Sequence, residues 1–300
     1  MTLPGQAYGA SIHFDAPRNH LPAAKSAKII PNKNAMSGLK LSKQLSEITR
    51  NYHFVKDREG MSPARVYQLI GRSENLYLKI SDSQYHGTTY DVEREKDVML
   101  WLAGKLPVPE VLHFEQHENQ KFLLMREING EAGYAYYQRV RDPQNMIRIY
   151  SEGIRLCQSI SVSDCPFISD IDHRLNELNY LLQHNLADID AEHWEDDTPF
   201  QDPHDLYTFL KTHKPSEELV FSHGDFGDSN IFIANHHISG FIDLGRSGKA
   251  DRWYDIAFCV RSIQHDMGND QKHLSLFFNL LELEPDWEKI RYYILLDELF

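Results

Sequence analysis

A lysine set inside an apolar strand constrains this chain more than any other feature. In Leu76-Tyr77-Leu78-Lys79-Ile80, strand alternation puts Leu76, Leu78 and Ile80 on one face and Tyr77 and Lys79 on the other. A lysine on a core strand needs a charged or polar partner, because burying an unpaired ammonium is costly. The helical pattern that follows supplies one. Val92, Glu95, Met99, Leu102 and Leu106 recur in steps of three and four and so form one stripe, with Glu95 among its buried positions. A carboxylate on that stripe and a lysine on that strand can satisfy each other.

The surrounding pattern fits such a sheet. Leu41, Leu45 and Ile48 predict a first helix, and residues 52–56, 65–71 and 76–81 read as strands joined by Gly- and Ser-containing turns. A helix over about 88–106 precedes two further strands, 108–116 and 121–129. Helices dominate beyond Gly130, over about 143–160, 171–185 and 204–211. A strand near 219–221 leads to a loop, a hairpin (231–234 and 238–242) and three closing helices that start near Asp251, Asp270 and Asp286. The expected fold is α+β in two lobes: a five-stranded antiparallel sheet with one helix, then a mostly helical half. Residues 36–129 and 130–300 are the expected lobes, and proline-rich residues 1–35 read as a disordered leader or an added extension.

The second chemical signal is His223-Gly224-Asp225-Phe226-Gly227-Asp228-Ser229-Asn230, placed between a strand and a hairpin that ends in Ile242-Asp243-Leu244-Gly245. An Asp, an Asn five residues on and an Asp-x-Gly thirteen beyond that is the order of a kinase catalytic loop and its metal-binding Asp-Phe-Gly. Phosphoryl transfer needs a carboxylate to hold the attacking hydroxyl and hard oxygens for Mg²⁺ on the phosphates. Asp225 suits the first task, and Asn230 and Asp243 the second. Each alone is an ordinary turn residue; it is the ordered set, joined to Lys79 and Glu95, that carries the signal. No Gly-x-Gly-x-x-Gly occurs, but Glu59-Gly60-Met61-Ser62-Pro63-Ala64 between the first two strands could offer amides and the Ser62 hydroxyl to a phosphate.

Charge narrows the partner. The net charge is −13, which argues against a nucleic-acid ligand and allows a cationic one. Residues 185–218 hold ten carboxylates against two lysines. The C-terminal Asp297-Glu298-Leu299-Phe300 puts two carboxylates and a chain terminus where a helix dipole disfavours them, which suggests that they hold a cation. No stretch nears the ~20 apolar residues of a membrane helix. Cys157, Cys165 and Cys259 form no Cys-x-x-Cys pair and read as reduced thiols of a cytoplasmic protein.

These residues resemble the aminoglycoside 3′-phosphotransferases (kanamycin kinases) of the Gram-positive 3′/5″ type. The strings that carry the resemblance are Glu59-Gly60-Met61-Ser62-Pro63-Ala64, Asn75-Leu76-Tyr77-Leu78-Lys79, Tyr90-Asp91-Val92-Glu93-Arg94-Glu95-Lys96-Asp97, and residues 221–231, 240–247, 253–263 and 285–300. It spans about 36–300 and implies a protein-kinase-like bilobal fold that uses ATP and Mg²⁺. By the resemblance, Tyr77 stacks on adenine, Met125 lines the adenine pocket, Lys79 binds the α- and β-phosphates, Glu95 orients Lys79 and Ser62 lies over the phosphates. Asp225 is the catalytic base, and Asn230 and Asp243 hold Mg²⁺. The polycationic aminoglycoside lies against Glu192, Glu195 and Asp228, with Arg246, Arg261, Asp297, Glu298 and the Phe300 carboxylate completing the pocket. Phosphorylation falls on the 3′-hydroxyl, with 5″ also possible in the type, and the enzyme is a monomer or weak homodimer.

Two segments depart from the family: residues 1–35 lie before its usual start, and no function is assigned to them. Gly133–Arg141 is aromatic and basic where related sequences tend to be acidic. Alternatives with other substrates stay open on the residues alone: a kinase for another small cation such as choline or for a protein hydroxyl, a nucleotide-binding pseudokinase, or a metal hydrolase built on His223, Asp225 and Asp243.

Overall fold

Ser42 caps α1 (Lys43–Ile48), its hydroxyl accepting from the Leu45 N–H at 3.1 Å. The computed structural model describes residues 39–57, 63–187, 194–195, 198–268 and 270–300; the reading of residues 1–35 lies outside them. Strands β1 (His53–Lys56), β2 (Arg65–Ile70) and β3 (Asn75–Asp82) are followed by helix α2 (Val92–Leu102), then by β4 (Val111–His117) and β5 (Gln120–Arg126). All neighbours pair antiparallel, in the order β1-β2-β3-β5-β4.

The alternation read around Lys79 sorts the two faces of this sheet. Leu76, Leu78 and Ile80 join Leu45, Phe54, Tyr67, Leu69, Phe122 and Leu124 in a small core beneath α1. The opposite face carries Leu123 and Met125 into the main core, with Val92, Val98, Met99 and Leu102 of α2. Lys79 stands on that second face, beside Leu123 in the β3–β5 register. Helix α2 starts later than the sequence suggests because the Asp91 side chain accepts from Glu93 N–H at 3.1 Å and fixes the cap there. It stops before Gly104, whose φ of +78° is a backbone conformation that terminates helices.

The rest is mostly helical, as expected. β6 (Glu131–Ala132), α3 (Gly133–Val140), α4 (Pro143–Gln158), α5 (Ile171–Gln183) and α6 (Pro203–Thr212) precede β7 (Leu219–Ser222) and the hairpin β8 (Ile231–Ala234) and β9 (His237–Phe241). β10 (Gly248–Asp251), α7 (Trp253–Asp266), α8 (Gln271–Leu281) and α9 (Trp287–Asp297) close the chain. Two small antiparallel sheets, β6-β8-β9 and β10-β7, frame the loop between β7 and β8. The aromatic–basic segment is helix α3, which the sequence pattern does not announce. Its order is tertiary: Tyr136 is buried, its hydroxyl donates to Asn145 Oδ1 at 2.6 Å, and the Tyr134 N–H donates to the Asp228 carbonyl at 3.2 Å. β10 is likewise absent from the sequence reading, because it exists only through non-local pairing with β7.

Candidate active site

The β7–β8 loop is held by a buried histidine and a buried carboxylate. Asp255, in the first turn of α7, accepts the N–H groups of His223 (2.7 Å) and Gly224 (2.9 Å). Burial keeps the His223 imidazole neutral by lowering its pKa. Its Nε2 pairs with the Ile242 carbonyl at 2.9 Å, so the proton belongs on Nε2, which leaves Nδ1 to accept the Asp225 N–H at 3.3 Å. The same ring therefore ties the Asp225 loop to the backbone of the residue before Asp243. Gly224 is required: its φ is +82°, and a Cβ there would stand 2.3 Å from the Arg246 carbonyl.

Asn230 closes the loop on itself. Its Nδ2 donates to the Asp225 carbonyl (2.9 Å) and carboxylate (3.0 Å), and its carbonyl accepts from Ile242 N–H at 3.0 Å. The Asn230 side-chain oxygen faces the Ser229 hydroxyl at 3.5 Å. Asp243 follows in the left-handed region at φ 59°, a conformation Asp tolerates better than most residues.

Lys79 joins this group to the sheet. Its ammonium donates to Glu95 Oε1 (2.9 Å) and Oε2 (3.1 Å) and pairs closely with Asp243. Lys79 and Glu95 are buried, whereas the Asp243 side chain is 41% exposed. Tyr77 and Met125 lie directly opposite each other in the β3–β5 ladder, two residues along from Lys79. Ser62 lies outside the described residues, so nothing places it.

A second constellation lies at the C-terminal helices. Asp297 takes Arg246 Nη1 on one oxygen (3.0 Å) and Arg261 Nη2 on the other (2.9 Å). The cation that the sequence assigned to this acidic helix end is thus, for Asp297, the protein's own. Burial works against the Arg246 charge, yet Tyr90, Asp225 and Asp297 outweigh it and hold its pKa well above the ordinary value. Its guanidinium also packs against the Phe300 ring at 5.2 Å. Glu195 pairs with His265 at 3.0 Å and approaches Arg261 Nε at 3.8 Å. Burial pushes Glu195 up, but those cations prevail and hold it below the usual carboxylate range. Glu298 does something else: it accepts from Glu195 N–H (2.9 Å) and the Thr198 hydroxyl (2.7 Å), fixing the segment that carries Glu195. Asp228 is driven up to about 6 by burial, reinforced by Asp266. Glu192 lies outside the described residues.

Sequence reasoning missed the supports of this site. Asp255 had a signal: it is the one acid in the apolar run Trp253–Val260. Tyr90, which accepts from Arg246 Nη2 at 3.1 Å, and His265 had none, since their partners lie far along the chain.

A strand lysine paired to a helix carboxylate, facing an Asp-x-Gly carboxylate beside an Asp–Asn loop, is the arrangement of a kinase-type phosphotransferase. The comparisons agree: residues 53–293 match the phosphotransferase enzyme family, and the chain belongs to that family. It is 61% identical to an aminoglycoside 3′-phosphotransferase of Enterococcus faecalis over 265 residues, 88% of this chain and 100% of the relative. A Staphylococcus aureus protein of the same name is 60% identical over 265 residues, 88% of this chain and 100% of the relative. Among solved structures, an aminoglycoside-3′-phosphotransferase of type VIII superposes with a TM-score of 0.72 at 24% identity, covering 83% of this chain and 94% of the other. A Streptomyces rimosus aminoglycoside phosphotransferase, solved with ADP and streptomycin, gives 0.71 at 18% identity over 85% and 95%. The α+β kinase-like fold and the family resemblance are therefore both borne out.

Proposed function

We propose that this chain transfers the γ-phosphoryl group of ATP to the 3′-hydroxyl of kanamycin- and neomycin-class aminoglycosides, and also to 5″ where that hydroxyl is offered, so conferring resistance. The observation that supports this most is the Lys79–Glu95–Asp243 group beside the Asp225–Asn230 loop, in a chain 61% identical to a protein of that name.

The donor set fits a nucleotide polyphosphate with a divalent cation. Asp243 and the Asn230 side-chain oxygen are hard oxygens of the kind Mg²⁺ prefers, and Lys79 is a cation that Glu95 holds in place. Bound there, Mg²⁺ would neutralise charge on the transferring phosphoryl group. Lys79 then binds the α- and β-phosphates, Tyr77 and Met125 offer the adenine an aromatic and a thioether surface, and Ser62 serves the phosphate loop. Asp225, oriented by Asn230 and by its N–H bond to His223, accepts the proton of the attacking hydroxyl as that oxygen bonds to phosphorus and ADP leaves. Because the chemistry is largely positioning and charge stabilisation, fixed side chains of this kind carry most of it.

The acceptor is read as a polycation held by Glu192, Glu195, Asp228, Asp297, Glu298 and the Phe300 carboxylate, with Arg246 and Arg261 setting the carboxylates' geometry. Residues 36–129 serve the nucleotide and 130–300 the chemistry and the aminoglycoside. Among the described residues no helix is long and apolar enough to cross a membrane. Three buried free cysteines accord with a reducing cytoplasm, where a monomer or weak homodimer is the expected form. The test is product analysis. Kanamycin should gain one phosphate at 3′, and an analogue that lacks both the 3′- and 5″-hydroxyls should gain none; phosphate on that analogue would refute the regiochemistry.

A further inference from the structure

The helix that carries Glu95 is fastened to the rest of the protein by the residue next to it. Arg94 Nε donates to the Gly245 carbonyl at 2.8 Å, and its Nη2 reaches the Ile168 carbonyl (3.0 Å), Ser169 Oγ (3.1 Å) and the Ser247 carbonyl (3.2 Å). Gly245 and Ser247 belong to the turn that begins at Asp243. No carboxylate takes part in these bonds; the guanidinium fork reads backbone shape, a task a lysine's single nitrogen cannot repeat.

The contact around this fork is close. A Cβ on Gly245 would stand 2.3 Å from the Thr89 carbonyl, so the turn lies against the start of α2. Thr89 is itself held by Glu177 of α5, which accepts its N–H (2.6 Å) and hydroxyl (2.7 Å). Ser169 ties these acceptors to the same turn: its Oγ donates to the Arg246 carbonyl at 2.8 Å and reaches the Ser247 carbonyl at 3.4 Å, and its N–H donates to the Lys249 carbonyl at 2.9 Å. On the sheet side, Lys121 of β5 pairs with both Asp91 and Glu93 at 2.7 Å each. The first turn of α2 is thus moored on both flanks.

We infer that Arg94 is a positioning residue for phosphoryl transfer: it locks the first turn of α2 onto the Asp243 turn, so that Glu95, Lys79 and Asp243 stay assembled before nucleotide arrives. Arg94 touches no substrate and acts through its neighbour Glu95 and through the backbone of Gly245 and Ser247. The inference rests on the phosphotransferase reading above. It sets this fold apart from kinases in which the corresponding helix swings, since here the helix is tied to the turn that carries the metal-binding aspartate.

The experiment compares Arg94→Ala and Arg94→Lys with Tyr180→Phe, which removes a different bridge, from α5 to the Gln84 carbonyl (2.8 Å). Turnover is measured with Mg-ATP and kanamycin, and binding of Mg-ADP and of kanamycin is measured separately by calorimetry. For Arg94→Ala, kcat should fall roughly 10- to 100-fold, as expected of a misplaced catalytic group. Its Mg-ADP Kd should rise roughly 2- to 30-fold, with kanamycin Kd unchanged. Millimolar guanidinium should restore part of both, Arg94→Lys should recover only part of the loss, and Tyr180→Phe should match the parent. Parent-like kcat and Mg-ADP affinity in Arg94→Ala would overturn the inference. So would a parallel loss of both ligands that guanidinium does not relieve. If the alanine variant does not fold, Arg94→Lys decides by the same readouts. An inactive parent chain would instead sink the phosphotransferase reading, and Mg-ADP affinity would still judge Arg94.

Discussion

The two charged constellations of this protein are built in opposite ways. Around Lys79, one ammonium faces two carboxylates, Glu95 and Asp243. Around Asp297, two guanidiniums share one carboxylate, and Glu195 is taken by His265 with Arg261 nearby. The first group has negative charge to spare beside a half-exposed Asp243, which suits a cation arriving with an anionic nucleotide. The second is already paired, so a polycation must share or displace the protein's own cations. Chemistry should therefore be fragile in the first region, and acceptor affinity tunable in the second.

The largest effect is expected in the β7–β8 loop. Asp225→Asn should lower kcat about 10²- to 10⁴-fold, the usual weight of a general base, while calorimetry shows nucleotide affinity little changed. Near-normal kcat would remove Asp225 from its role. Lys79→Met leaves Glu95 buried without its partner, a change that typically costs about 3–5 kcal/mol of stability. Denaturant unfolding should show that loss, and an unaltered midpoint would mean Glu95 finds another partner.

Asp297→Asn should act on the other region only. It weakens two charge-assisted bonds at once, so kanamycin KM should rise about 10-fold or more while ATP KM stays put. Equal changes in both would dissolve the distinction between the regions. Asp228 gives a smaller effect with a defined sign. Its native pKa is about 6, above that of the unfolded chain, so the folded state favours the protonated form and loses that stabilisation as pH rises from about 4 through about 6. Over the same rise the carboxylate becomes available to a cation. Kanamycin affinity should tighten as pH passes 6, and Asp228→Asn should flatten the profile; a variant that keeps the slope would point to another group. Smallest is the salt effect: kanamycin KM should rise with ionic strength more than ATP KM does.

The contrast also explains what the sequence disclosed. Lys79 and Glu95 were legible because strand and helix periodicities each mark a charged residue at an apolar position, and two such residues in succession imply a pair. Asp225, Asn230 and Asp243 were legible through order along one loop and hairpin. In the residue pattern itself the Asp297 cluster showed only as an excess of acid at a helix end; it was the family resemblance that named Arg246 and Arg261 beside it. Arg246 and Arg261, which bind Asp297, and Tyr90, which accepts from Arg246, come from three separate stretches of chain, and no local period links them. Helix α3 escaped for the same reason, since Tyr136 and Tyr134 are ordered by contacts with Asn145 and Asp228. Arg94 carries no such mark in the sequence; only the fold shows the four acceptors it gathers.

The central claim is that the two regions meet in one reaction. The most direct measurement is ADP release from Mg-ATP with and without kanamycin, followed by the mass of the antibiotic. Kanamycin-dependent release, with one phosphate gained per molecule, is the predicted result. ADP release that kanamycin does not stimulate, with no gain in its mass, would contradict it.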